Sequence, residues 1–120
     1  MDTPTPDTGN PVTQAKLWYW QRISAMLLAL CVAAHLAGMI YAVRGGLTAA
    51  EILGRTRGSI TFGIFYAVFV LACTVHVPIG LARICEEWLG LSSGKAAWVA
   101  RLAALLILVM GLRAVYGVVA

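Results

Sequence analysis

One histidine in this sequence stands where it could hold a metal ion. His76 lies late in an apolar run, residues 59–82, that carries no formal charge, and Gly80 and Arg83 follow it. At about 100° per residue, the three share one helix face. An ionisable residue inside an apolar helix is costly and usually faces a protein interior or a cofactor. The pattern indicates haem: iron takes an imidazole nitrogen, glycine lets a flat macrocycle approach, and arginine can meet a carboxylate.

A simpler interpretation of His76 needs no cofactor. A neutral imidazole can donate one N–H to another helix, and a lone histidine in a bundle is often satisfied in this way. His35 permits the same two interpretations, because it lies on a stripe of mostly small residues in an earlier apolar run. That stripe suits close helix packing.

The spacing of the two histidines argues against their sharing one iron. If Arg22 and Arg83 mark the same membrane face, His35 lies roughly 20 Å deep and His76 roughly 10 Å deep, at about 1.5 Å per residue. Axial ligands of one haem need nearly equal depth. The spacing therefore predicts that a second ligand comes from a different subunit or from a copy of this chain.

The element that carries each histidine follows from composition. Of 120 residues, 61% are hydrophobic and only 12% are charged, too few polar groups to cover a small soluble domain. Three apolar runs are each long enough to cross a ~30 Å hydrocarbon layer, which takes about 20 residues. We therefore predict an all-α membrane protein, a bundle of three transmembrane helices with a disordered N-terminal tail. The predicted helices span about 18–43, 59–87 and 96–119, and the tail spans residues 1–16, which are rich in proline and small polar residues.

The loop and the membrane interfaces carry further signals. Thr48-Ala-Ala-Glu51 is a capping-box pattern and predicts a short surface helix between the first two spans. The net charge is +4, but the basic residues flank apolar runs and form no patch, so they indicate lipid headgroups and not nucleic acid. All four tryptophans fall at the interface on the N-terminal side, which indicates an aromatic belt, a surface for a protein partner or a site for an amphiphilic ligand: Trp18, Trp20, Trp88 and Trp98.

Two motifs and the helix layout together resemble a known family. The segment Gln21-Arg22-Ile23-Ser24-Ala25 is similar to a family pattern His-Arg-x-Ser-Gly, and His76-x-x-x-Gly80 with Arg83 is similar to His-x-x-x-Gly-x-Arg, with acidic residues downstream. On these residues, residues 17–120 of the chain resemble the cytochrome b membrane-anchor subunit of succinate dehydrogenases and fumarate reductases.

The resemblance implies a non-catalytic subunit of an oxidoreductase complex. It would dock a flavoprotein and an iron–sulfur subunit beside a second membrane-anchor chain or a copy of itself. It would pass electrons between the iron–sulfur chain and a membrane quinone, ubiquinone or menaquinone, with haem b as a further cofactor. The implied location is the bacterial inner membrane, with the tail in the cytoplasm, and the complex would serve the tricarboxylic acid cycle, by succinate oxidation or fumarate reduction.

The resemblance also implies residue roles. His76 would be an axial ligand of the haem iron. Arg22, Arg83 and Gly80 would serve the haem propionates and macrocycle packing, with Arg22 an alternative quinone ligand. Ser24 and Trp18 would line the quinone pocket.

The sequence departs from the family pattern in several places. Gln21 stands where the family usually has histidine, and Trp18 stands where some members have a serine that contacts quinone. Arg83 comes one residue late, which turns it by about 100°. His35 has no counterpart in single-haem members, and it is similar to the first-helix ligand of two-haem anchors, so a second haem stays open.

Two other functions compete with a haem-bearing anchor. One is a haem-free anchor of the same complex, in which His76 is only hydrogen-bonded. The other is an unrelated small transporter or assembly protein. Transporters usually have broken helices and several polar groups in the membrane, and here only Pro78 interrupts a span.

Overall fold

The computed structural model describes residues 10–120 and is helical throughout except for short connections. The four helices in chain order are α1 (Pro11–Gly45), α2 (Ala49–Thr56), α3 (Ile60–Glu87) and α4 (Ser93–Val119). Three of them, α1, α3 and α4, are long and apolar enough to cross a membrane. The predicted fold class, a bundle of three transmembrane helices, is confirmed for this part of the chain.

Helix α1 begins earlier than the composition suggested. Residues 11–16, predicted to belong to a disordered tail, form its first turns. The Asn10 side chain accepts a hydrogen bond from the backbone N–H of Val12, and Pro11 occupies the first turn, where its missing N–H costs nothing. The rest of the predicted tail, residues 1–9, lies outside the described residues.

The loop between the first two spans folds as its capping box predicts. The Thr48 hydroxyl oxygen accepts a hydrogen bond from the backbone N–H of Glu51, and the Glu51 carboxylate accepts one from the backbone N–H of Thr48. These bonds start α2.

The Glu51 carboxylate accepts hydrogen bonds from the backbone N–H and the hydroxyl of Thr48. These two bonds hold the pKa of the Glu51 carboxyl below its usual value.

The helices pack through small residues. Helix α3 lies between α1 and α4 and contacts both. All buried side chains of the described spans are small: Ser24, Cys31, Ala72, Cys85, Ala96 and Ala100. Most large apolar side chains face outward instead, as expected where lipid or a partner chain covers the surface. Val70 of α3 packs against Gly111 of α4, where an added β-carbon would lie 2.6 Å from a Val70 methyl carbon.

The last residue of α2 and the loop that follows it close the end of α4. The Thr56 hydroxyl donates to the carbonyl of Val118 at 2.6 Å, and the backbone N–H of Gly58 donates to the carbonyl of Val119 at 2.7 Å. Gly58 has a φ of 73°, in the left-handed region that glycine adopts without strain. Carbonyls at a helix end lack partners within the helix, so this loop stabilises the end of α4 and fixes it beside α2.

Candidate functional site

His76 lies at the contact between α1 and α3, where it meets Ser24. The Nδ1 atom of His76 is 3.3 Å from the Ser24 hydroxyl oxygen. That hydroxyl also donates to the backbone carbonyl of Gln21, one turn earlier in α1, at 3.0 Å. Ser24 is only 4% exposed, whereas His76 is half-buried. Nε2 of His76 has no hydrogen-bond partner among residues 10–120.

Gly80, one turn after His76, contacts the side chain of Gln21. The Gln21 amide nitrogen lies 3.1 Å from the point where a β-carbon on Gly80 would stand. The Gln21 amide oxygen is buried and has no hydrogen-bond partner in the described chain. The sequence predicted that Gly80 makes room for a macrocycle; in this structure that room holds the amide of Gln21.

Arg83 shares the His76 face of α3, about two turns or roughly 10 Å nearer the helix end. Its guanidinium donates to the side-chain oxygen of Gln14 in the first turn of α1, at 3.4 Å. Arg83 borders an open groove of about 470 Å³ between α1, α3 and α4, which Glu86 and Arg101 also line. A carboxylate ligand on the His76 face could reach this guanidinium.

Arg22 and Trp18 lie together on an exposed face of α1. The guanidinium carbon of Arg22 is 5.5 Å from the centre of the Trp18 ring, a cation–π contact. Ser24 is two residues beyond Arg22 and so points about 200° away. The structure therefore brings Trp18 and Arg22 together and separates both from Ser24.

Ser24 instead borders an apolar groove of about 240 Å³ between α1 and α3. Its lining is almost wholly hydrocarbon, so it suits an aliphatic or isoprenoid chain more than a polar ring: Trp20, Ile23, Leu27, Val68, Leu71, Ala72 and Val75. The sequence places Trp20 with the other three tryptophans at a membrane interface, as an aromatic belt, a surface for a protein partner or a site for an amphiphilic ligand. The helical spacing of Trp20, Ile23 and Leu27 could have shown that they share a face with Ser24.

His35 lies on a different level of the bundle from His76. Its ring makes edge contacts with Tyr66 and Phe69, with ring centres 6.1 and 6.0 Å apart. Ser24 marks the level of His76 on α1, and His35 comes three turns later, roughly 16 Å away along the helix. His35 borders a groove of about 480 Å³ near the far membrane face. The described chain thus does not bring its two histidines together.

The residues present fit a haem held by this chain from one side. The half-buried imidazole has one nitrogen in a hydrogen bond and the other without a partner among residues 10–120, and an arginine shares its helix face. Residues 10–120 bring no three His, Cys, Asp or Glu side chains together as a non-haem metal site would need.

Comparisons with known proteins agree with this architecture. No curated protein and no solved structure matches the chain. Residues 4–118 match the family profile described as succinate dehydrogenase/fumarate reductase transmembrane subunit. The chain therefore belongs to this family of multi-pass membrane subunits of succinate dehydrogenase and fumarate reductase complexes.

Proposed function

We propose that the chain is a haem-bearing anchor of such a complex. It docks a flavoprotein and an iron–sulfur subunit and supports electron passage between the iron–sulfur chain and a membrane quinone, ubiquinone or menaquinone. His76 supplies one axial ligand of a haem b, and a second membrane chain or a copy of this one supplies the other.

The state of the His76 ring carries this proposal. Nδ1 is engaged by Ser24, while Nε2 has no partner in residues 10–120 and the side chain is only half-buried. An imidazole nitrogen left without a partner in hydrocarbon costs free energy, so a ligand or another chain is expected to meet it. His35, roughly 16 Å away along the bundle, cannot be the opposite ligand of the same iron.

Each of the other residues has a task in this proposal. Arg83 pairs with a haem propionate, since it shares the His76 face and lies nearer the membrane surface. Arg22 and Trp18 hold the quinone ring at the exposed face of α1, where a cation can stabilise negative charge on a quinone oxygen. Bound haem would supply a one-electron relay.

The proposal also fixes the orientation. Lys16, the N-terminal turns of α1 and all four tryptophans lie at one end of the bundle, and the tryptophans are more than half exposed. Such rings suit a membrane interface that also meets protein. We place this end in the cytoplasm of a bacterial cell, beneath the iron–sulfur subunit.

The decisive experiment is haem quantification in the purified complex. Wild-type complex should show a reduced-minus-oxidised b-type spectrum and haem in fixed ratio to flavin. His76→Ala should lose it, whereas the matched variant His35→Ala should retain it. A full haem complement in His76→Ala, with flavin and iron–sulfur protein co-purifying, would remove His76 as a ligand.

A haem-free anchor is the second candidate, and the His76–Ser24 bond favours it because it satisfies the ring in part without a cofactor. In that case the intact wild-type complex would reduce quinone and contain no porphyrin. Its iron content would equal that of the iron–sulfur subunit alone. The family match leaves an unrelated transporter without support.

A further inference from the structure

We propose that Ser24 is a positioning residue for His76, which it holds in the tautomer whose Nε2 lone pair is free to bind iron. This inference rests on the proposed function, and it gives Ser24 a task other than lining a quinone pocket. It follows from the two hydrogen bonds that the Ser24 hydroxyl makes, one to the Gln21 carbonyl and one to His76, and from the burial of Ser24.

The first step is the location of the Ser24 proton. A serine hydroxyl has one proton, and here that proton is donated to the backbone carbonyl of Gln21 at 3.0 Å. Donor and acceptor lie one turn apart on the same helix, so their separation does not change when α1 moves against α3. The hydroxyl oxygen is then left with lone pairs only.

The second step fixes the histidine. Nδ1 of His76 lies 3.3 Å from this oxygen. Because the oxygen can only accept, Nδ1 must carry the N–H, and the neutral ring then bears its lone pair on Nε2. Ser24 is 4% exposed, so water has little access to replace it as acceptor.

The third step is the effect on a bound metal. A metal-binding imidazole usually donates its second N–H to an acceptor, which fixes the ring orientation and makes the ligand more basic. A more basic ligand favours ferric over ferrous iron. Ser24 therefore orients the His76 ring about its bond to iron and lowers the reduction potential of the haem.

The test uses the intact complex and three variants. Ser24→Ala removes the acceptor, Ser24→Cys keeps a similar volume with a weaker acceptor, and Ser24→Thr restores a hydroxyl. The matched control is Thr74→Val, since within residues 10–120 the Thr74 hydroxyl donates only to the Val70 carbonyl of its own helix. The readouts are the reduction potential from a spectroscopic redox titration and the low-field electron paramagnetic resonance signal, which reports the relative orientation of the two axial ligand planes.

We expect an upward shift in potential and a shifted low-field signal in Ser24→Ala and Ser24→Cys. Ser24→Thr should return toward the wild type, and Thr74→Val should match the wild type. Wild-type values in both Ser24→Ala and Ser24→Cys would overturn this inference and leave the proposed function intact. A wild-type complex without haem would instead overturn the proposed function itself.

Discussion

The side chain of Gln21 fills the notch that Gly80 leaves in α3, with its amide nitrogen 3.1 Å from the position of the missing β-carbon. Ser24 lies one turn from Gln21 and His76 lies one turn from Gly80, and these two residues also meet. The two pairs hold the histidine in register against α1.

We expect Gly80→Ala to be tolerated, despite this close contact. The added carbon would displace only the mobile end of the Gln21 side chain, and alanine favours the helix over glycine by about 1 kcal/mol. The free energy of unfolding in detergent should therefore stay within about 1 kcal/mol of the wild type. A loss above about 2 kcal/mol would show that Gln21 cannot move.

Gly111→Ala should destabilise the bundle, in contrast to Gly80→Ala. The new carbon would lie 2.6 Å from a methyl carbon of Val70, a branched side chain fixed close to the α3 backbone. Overpacking of this kind costs about 1–3 kcal/mol. The free energy of unfolding in detergent, measured as for Gly80→Ala, checks this expected loss of stability.

Gly117→Ala is the control, because a β-carbon there meets nothing within 4 Å in the described chain. Val70→Ala should restore part of the stability lost in Gly111→Ala. An unchanged or raised stability in Gly111→Ala alone would contradict the α3–α4 packing.

Thr56→Val should loosen the end of α4. The variant keeps the side-chain shape, removes the 2.6 Å bond to the Val118 carbonyl and leaves that carbonyl part-buried without a partner. We expect a loss of about 1–3 kcal/mol and faster amide hydrogen exchange in the last turn of α4. Thr74→Val, which loses only a bond within its own helix, should change neither quantity. Equal effects in the two variants would argue against Thr56 as a cap of α4.

The stability of α2 should depend on acid pH through Glu51. Two hydrogen bonds from Thr48 lower the pKa of this carboxyl in the folded chain. A carboxyl whose folded pKa is depressed stabilises the fold above its unfolded pKa, and this contribution is lost as pH falls through the folded pKa. Hydrogen exchange across α2 should therefore speed up below about pH 4, relative to intrinsic rates. Glu51→Ala should exchange fast at every pH. A wild-type profile without this acid loss would contradict the capping box.

Arg22→Gln should weaken quinone binding and leave haem content unchanged. Arg22 lies about 200° around α1 from Ser24, so its loss should not disturb the His76 contact. Removing one charge-assisted hydrogen bond costs about 1.5–3 kcal/mol, so we expect KM for quinone to rise roughly ten-fold or more. Arg101→Gln is a matched control, because Arg101 also lies over a tryptophan, Trp98, at 5.9 Å. Equal increases in KM for both variants would show that the effect is general to this interface.

Periodicity and composition could predict which segments are helices, because a segment that crosses lipid must satisfy its own backbone and carry an apolar surface. They predicted the start of α1 wrongly. The proline-rich, polar composition of residues 1–16 led to their assignment as a tail. The pair Asn10-Pro11 within them is a typical helix start and could have been recognised in the sequence.

The candidate site was less predictable. Arg22 and Arg83, used as depth markers, place Ser24 roughly 3 Å deep and His76 roughly 10 Å deep, yet in the structure the two side chains meet. The direction of each side chain around its helix depends on how the helices pack, which no single span encodes. For that reason the separation of Ser24 from Trp18 and the contact of Gln21 with Gly80 emerged only from the structure.

The small size of every buried side chain in residues 10–120 has a consequence for the life of the protein in the cell. With almost none of its hydrophobic mass enclosed, the newly made subunit has little to protect it from membrane proteases. The cellular amount of this subunit should therefore follow the amounts of the other subunits of the complex. Cells that make too little of those subunits should degrade the excess of this one.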